Sequence, residues 1–283
     1  MPNGAGGDWD EDVEDVEDVE GPTGGGSAVT TYLPPQHGAW AFLALPLVLG
    51  AVLTQATPVL LVLAVAWVAA YPLSYAAFGL ARARRPQRFR RPLAVWAAVV
   101  LPAATVLLVA RPWLVWVGIG YLVLFAVNLR YARRNDERAL GNDLVFVAEC
   151  SVMVAVTWAV GAGRRSWSPP APDDVPVRVW VLVAVCALVL IGSTLHVKSL
   201  IRERRDPRFA RASRVVALAS VAAALSLAVG WGRPAGAWLV VPFVALAARA
   251  FVVGRRPTRA GAIGVVELGG FVLVAACAAL ATG

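Results

Sequence analysis

The sequence predicts an all-α, polytopic membrane protein of nine transmembrane helices, and three observations predict it. Of its 283 residues, 59% are hydrophobic, against roughly half in a soluble domain. The excess is gathered into nine apolar runs of about 18 to 23 residues, long enough for a helix to cross ~30 Å of hydrocarbon. The basic residues fall almost wholly in alternate loops between those runs. Backbone groups in lipid must be satisfied internally, and the runs lack the strict alternation of a barrel strand, so helices follow.

The chain opens on a tail. Residues 1–32 are acidic and Gly-rich, and the first twenty hold nine acids with no Lys or Arg. A three-residue repeat, EDVEDVEDVE, runs into GPTGGGS. Low hydrophobicity and like-charge repulsion predict disorder here. No basic stretch leads into an apolar one, so the tail does not read as a secretory signal.

Residues 33–283 are predicted to form one nine-helix domain. The first span, 37–54, starts at His37 in PPQHGAW; the second is 58–80. Arg82, Arg84, Arg85, Arg88, Arg90 and Arg91 then precede the third, 92–110. Only Arg111 and Pro112 separate it from the fourth, 112–129. Arg130, Arg133, Arg134 and Arg138 lead to the fifth, 140–162, and the sixth follows at 178–199. Between the sixth and the seventh, 212–230, lie Lys198, Arg202, Arg204, Arg205, Arg208, Arg211 and Arg214. The eighth is 234–253, and Arg249, Arg255, Arg256 and Arg259 stand before the ninth, 261–281.

These alternate loops hold 21 of the 26 basic residues; Arg111, Arg164, Arg165, Arg178 and Arg233 are left for the opposite side. The positive-inside rule therefore predicts a cytoplasmic N-terminus and an outside C-terminus. It also accounts for the net charge of +8 through orientation and anionic lipid headgroups, without nucleic acid as a partner. A multi-pass protein of the cell membrane, in contact with its lipids, is expected. Cys150, Cys186 and Cys277 lie inside spans, with no metal-ligand or disulfide spacing, and read as small apolar residues.

Ionisable groups inside lipid are costly, which makes each a candidate functional group. His37, Glu149, His196 and Glu267 are the candidate catalytic residues, because histidines and carboxylates handle protons. Tyr71, Tyr75, Arg82, Asn128, Arg130, Arg134, Asn142, Asp143, Thr194, Lys198 and Arg202 are the candidate substrate-binding residues. Tyr71, Tyr75 and Arg82 follow one face of the second span; Thr194, Lys198 and Arg202 share one face of the sixth at a spacing of four. All fall in the half of their helices nearest the Arg-rich loops. Depth alone thus predicts one cytoplasm-facing polar cavity lined by spans one, two, four, five, six and nine. Spans three, seven and eight contribute nothing of comparable weight. Such a pocket suits an anionic group attached to a greasy one, because Arg forks bind phosphate and Lys supplies a point charge. Asp143, Glu149, Glu267, Asn128 and Asn142 offer oxygens of the kind Mg²⁺ takes, yet no two carboxylates have a dedicated spacing, so no metal ligands are assigned.

PPQHGAWAFLALPLVLG at 34–50, LGND at 140–143 and GSTLHVKSLIRER at 192–204 resemble the YwiC-like family of bacterial integral membrane proteins, over about residues 33–281. That resemblance implies a membrane protein and no particular reaction. More distantly, nine helices with polar loops after spans two, four and six look like the helical bundle of UbiA-type intramembrane prenyltransferases. Those enzymes hold Mg²⁺ and a polyprenyl diphosphate on Asp-rich motifs at the ends of helices two and six. RYARRNDERALGND at 130–143 is similar to their basic stretch after helix four, which carries Arg130, Arg134 and Asn142 over as substrate contacts. The Asp-rich motifs are not matched: this chain reads YPLSYAAFGLARARR and HVKSLIRERRD there. The resemblance then implies either an isoprenoid or other lipophilic anionic substrate held directly by Lys198, Arg202 and Arg82, or a chemistry that has been lost or changed. A transporter working through Glu149 and Glu267, and a non-catalytic membrane scaffold, are the competing readings.

Overall fold

The computed structural model describes residues 32–34, 37–83, 86–134, 136, 139–253 and 260–283. The tail before Tyr32, the side chain of His37, and Arg84, Arg85, Arg138, Arg255, Arg256 and Arg259 lie outside the described residues.

Among the described residues nine α-helices follow one another: α1 (His37–Ala51), α2 (Pro58–Arg82), α3 (Gln87–Ala110), α4 (Leu114–Arg133), α5 (Leu140–Gly161), α6 (Val177–Val197), α7 (Pro207–Trp231), α8 (Val240–Val252) and α9 (Ala260–Thr282). Eight are long and apolar enough to cross a membrane, α6 counted with its extension to Arg202 and α8 with the 3-10 turn Ala235–Leu239 before it. The chain is a multi-pass membrane protein. The exception is α1: its 15 residues span about 22 Å at 1.5 Å per residue. It stops at Ala51, where 37–54 was expected, and passes into a turn through Thr54.

Two helices start earlier than their apolar runs. The α7 helix begins at Pro207, and the Asp206 carboxylate accepts the Arg208 backbone N–H at 2.8 Å. An Asp N-cap before a Pro at the first position is a strong start signal, so Arg208, Arg211 and Arg214 ride on a helix rather than a loop. The α3 helix begins at Gln87 and carries Arg88, Arg90 and Arg91 likewise. Arg249 also leaves the loops: it lies within α8.

Burial ranks the helices. About half of the apolar window is buried in α5 (50%) and α6 (56%), but only 6% in α3 and α4. The centre is therefore α5 and α6, with Val154, Val160, Leu182, Cys186, Val189 and Leu190 fully buried along their shared face. The α1 helix packs closely on α5, because a Cβ at Gly50 would sit 2.6 Å from the Val154 carbonyl oxygen. An α2–α3 hairpin closes where Gly79 admits the Phe89 ring.

Contacts between helix ends confirm the alternating course. Asp143 near the start of α5 meets Lys198 after the end of α6, and the Trp96 indole N–H donates to the Tyr32 carbonyl at 2.8 Å. At the other end, Arg111 and Trp113 meet the end of α5 and the segment after it. The Trp231 indole closing α7 donates to the Ala281 carbonyl near the end of α9 at 2.9 Å.

Candidate functional site

The segment GSTLHVKSLIRER carries a polar residue at nearly every step, so its side chains face several neighbours at once. The Ser193 hydroxyl donates to Glu267 Oε2 of α9. The other carboxylate oxygen, Oε1, is 2.5 Å from Arg249 Nη1 of α8, and the two side chains are only 8% and 9% exposed. A carboxylate at that depth is tolerated because a cation accompanies it. One turn on, His196 Nδ1 is 3.4 Å from Ser213 Oγ of α7, and Ser199 Oγ donates to the His196 carbonyl at 2.7 Å. Lys198 turns the other way and its ammonium pairs with Asp143 of α5 at 2.8 Å.

The α6 helix does not simply end there. Residues Lys198–Arg202 form a π-helical turn, closed by the Glu203 N–H donating to the Lys198 carbonyl at 2.8 Å. Such turns recur at functional sites. This one breaks the spacing of four expected to align Thr194, Lys198 and Arg202: Lys198 is buried, Thr194 half-buried and Arg202 exposed.

A second polar group is built on α4 and α5. Asn128 Nδ2 donates to Glu149 Oε1 at 3.0 Å, and the Tyr121 hydroxyl donates to the Glu149 carbonyl at 2.7 Å. Tyr121 also sets its ring edge-on to Trp67, with centroids 5.5 Å apart.

Aromatic rings occupy the middle of the expected cavity. Trp40 and Phe42 of α1, Tyr71 of α2, Phe146 of α5 and Phe271 of α9 form a connected cluster with centroids 5.4 to 6.1 Å apart. Tyr71 is therefore packed among rings, and Tyr75 lies edge-on to Phe89 at 6.1 Å. Arg82, Arg130 and Arg134 are exposed at the ends of α2 and α4, and Asn142 is half-buried in the first turn of α5.

The candidate residues thus form three separate pairings rather than one ring: Asn128 with Glu149, Asp143 with Lys198, and Glu267 with Arg249. Four of the five residues whose oxygens suit Mg²⁺, Asn128, Asp143, Glu149 and Glu267, are divided among these pairings, and no three His, Cys, Asp or Glu side chains gather among the described residues. Among the described residues no carboxylate cluster fits a diphosphate-bridging metal pair.

A cavity of about 220 Å³ sits between α6, α7, α8 and α9, at the Arg-rich end. His196, Ser199, Ser213, Arg204 and Arg214 supply its polar lining, and Leu200, Ala210, Ala250, Val253 and Ile263 its apolar lining. His196 and Ser213 are buried, while Arg204 and Arg214 are exposed. The Nε2 of His196 is buried without a hydrogen-bond partner among the described residues. The helices expected to contribute little, α7 and α8, therefore form much of the wall. Ser193, Ser213, Arg214 and Arg249 were not anticipated as site residues. A serine inside an apolar run has no signature of its own, but Arg249 had one: it stands in ALAARAFVV, opposite in charge to the only acid of the last span.

The sequence profile described as YwiC-like protein matches residues 33–158, which covers α1 to most of α5. The uncharacterized protein YwiC of Bacillus subtilis (strain 168) is 30% identical over 242 residues, covering 83% of this chain and 92% of that protein. The chain belongs to the YwiC-like family. An uncharacterized protein of Haemophilus influenzae (strain ATCC 51907 / DSM 11121 / KW20 / Rd) is 26% identical over 178 residues, covering 63% of this chain and 71% of that one. No solved structure matches. As a YwiC-like protein the chain is assigned to the cell membrane, and the UbiA-type resemblance rests on the sequence segments alone.

Proposed function

We propose that this YwiC-like protein binds a lipophilic anion of the isoprenoid phosphate class, with the head group in the cavity between α6 and α9 and the tail along the apolar wall. The observation that carries the reading is the lining of that cavity: two arginines at its mouth, a buried histidine within, and aliphatic side chains between them. Guanidinium forks bind phosphate oxygens bidentately, and the five apolar lining residues suit the first carbons of the tail. The charge asymmetry of the loops supports a cytoplasmic opening. Arg204 and Arg214 take the place first given to Lys198, Arg202 and Arg82. Lys198 is committed to Asp143, and Arg82 belongs to α2, which packs on α1, α3, α4 and α5.

The test is binding of polyprenyl monophosphates and diphosphates of several lengths to protein in lipid nanodiscs, with Mg²⁺ and with chelator. The expected outcome is saturable binding that survives chelation and falls at least about tenfold in Arg204→Ala/Arg214→Ala, since one lost charge-assisted bond of about 1.5–3 kcal/mol suffices for that. Equal affinity for the uncharged prenol would sink the reading. A proton-linked permease is the second reading, favoured by the buried Arg249–Glu267 pair. Liposome flux unchanged by Glu267→Gln would count against it.

A further inference from the structure

Behind the open cavity lies a smaller chamber of about 10 Å³ between α6, α7 and α8, lined among others by Gly192, Ser213, Ser220 and Arg249. Ser213 and Ala250 line both spaces, so the two adjoin, and Arg249 of the Arg249–Glu267 pair lines the smaller one. Two polar groups at the chamber are left over. Ser220 is 4% exposed and its hydroxyl has no hydrogen-bond partner among the described residues; the same holds for Arg249 Nε. Hydroxyl and guanidinium groups buried in a span without partners are costly. A chamber of about this size holds one water when two to four polar groups line it.

We propose that this chamber is a water site: one molecule accepts from Arg249 Nε–H and bonds the Ser220 hydroxyl. The Arg249–Glu267 pair is then hydrated on its Ser220 side, rather than sealed in a dry core. Ser213 stands two turns nearer the Arg-rich face, ~10.5 Å along the helix, where its hydroxyl faces His196 Nδ1 at 3.4 Å. This site stands independently of the anion reading, because none of its argument uses a ligand in the outer cavity.

One conservative variant gives opposite signs for a wet and a dry chamber. Ser220→Ala strips a bound water of one partner and leaves Arg249 poorly satisfied, so the apparent melting temperature in detergent should fall by roughly 2–4 °C. In a dry chamber the same change deletes an orphan hydroxyl, and the temperature stays level or rises. Gly192→Ala meets nothing within 4 Å of the added Cβ, so its methyl points into open space outside the chamber and serves as the control; its melting temperature should match or slightly exceed that of the parent protein, since alanine is the better helix former. An experimental structure at high resolution supplies the direct check. Density within hydrogen-bonding reach of Ser220 Oγ and Arg249 Nε is expected, and a clear empty chamber, or a level or raised melting temperature in Ser220→Ala, overturns the site.

Discussion

The two ends of the helical bundle use polar side chains in opposite ways. At the end away from the Arg-rich loops, the buried arginine and the tryptophan indoles donate to the backbone, and the one ion pair among the described residues there, Arg164 with Asp174 at 3.0 Å, is exposed. Arg111, 6% exposed, donates from Nε to the Val160 carbonyl at 3.1 Å and from Nη1 to the Ala110 carbonyl at 2.8 Å. The Trp113 and Trp116 indoles donate to the carbonyls of Arg164 and Trp167, and Trp231 to that of Ala281. These are terminal carbonyls of the kind a helix end or connecting loop leaves without partners. At the Arg-rich end, side chains pair with side chains across helices: Lys198 with Asp143 and Arg249 with Glu267. Atoms without partners occur toward both ends, Thr57 Oγ1 at one and His196 Nε2 and Arg249 Nε at the other. What distinguishes the Arg-rich end is that buried charged side chains stand there beside a cavity.

Mutations should separate the two ends, beginning with the largest effect. Glu267→Ala leaves the Arg249 guanidinium buried and unpaired and should cost on the order of 3–5 kcal/mol, read as loss of folded protein on heating in detergent. Replacing both partners with leucine should recover much of that, since an apolar pair carries no desolvation penalty; failure to recover would mean that the pair does more than neutralise itself. Gly50→Ala should cost about 1–3 kcal/mol, because the added methyl meets the Val154 carbonyl and Thr157. Arg111→Ala should cost about 1–3 kcal/mol through the orphaned Val160 carbonyl. Both should leave anion binding in nanodiscs unchanged, and a binding defect from Arg111→Ala would break the distinction between the ends. The smallest effect on stability belongs to the exposed arginines: Arg204→Ala and Arg214→Ala should each stay within ~0.5 kcal/mol of the parent protein while binding falls.

The fold was legible because lipid makes apolar length and loop charge nearly sufficient. The runs that became α2 to α9 needed only changes at their ends, and Asp206-Pro207 even carried the start of α7 in plain view. The site was legible only in part. Glu149, His196, Lys198 and Glu267 stand out as ionisable groups inside apolar runs, and each does sit in a polar contact. Which contact could not be read, since depth along a helix says nothing about the direction a side chain faces. The aromatic residues were the missing information. Tyr71 reads from the sequence as a substrate contact, but with Trp40, Phe42, Phe146 and Phe271 it forms a cluster of rings between α1, α2, α5 and α9. A cavity lies between α6 and α9. Arg249 was hidden for a different reason: an Arg-rich loop follows it closely, and it reads as the first residue of that loop.

The π-helical turn at Lys198–Arg202 makes residue count, rather than residue identity, the quantity that aims the cavity mouth. Upstream of it, His196 is held by its place on α6; downstream, Arg204 inherits whatever phase the turn delivers. Deleting one residue there would tighten the turn and swing everything beyond it by about 100° and ~1.5 Å. Arg204 would leave the cavity wall with its chemistry unaltered. Its exposed residues, Ile201 and Arg202, should accept many substitutions, and the stretch almost no change in length.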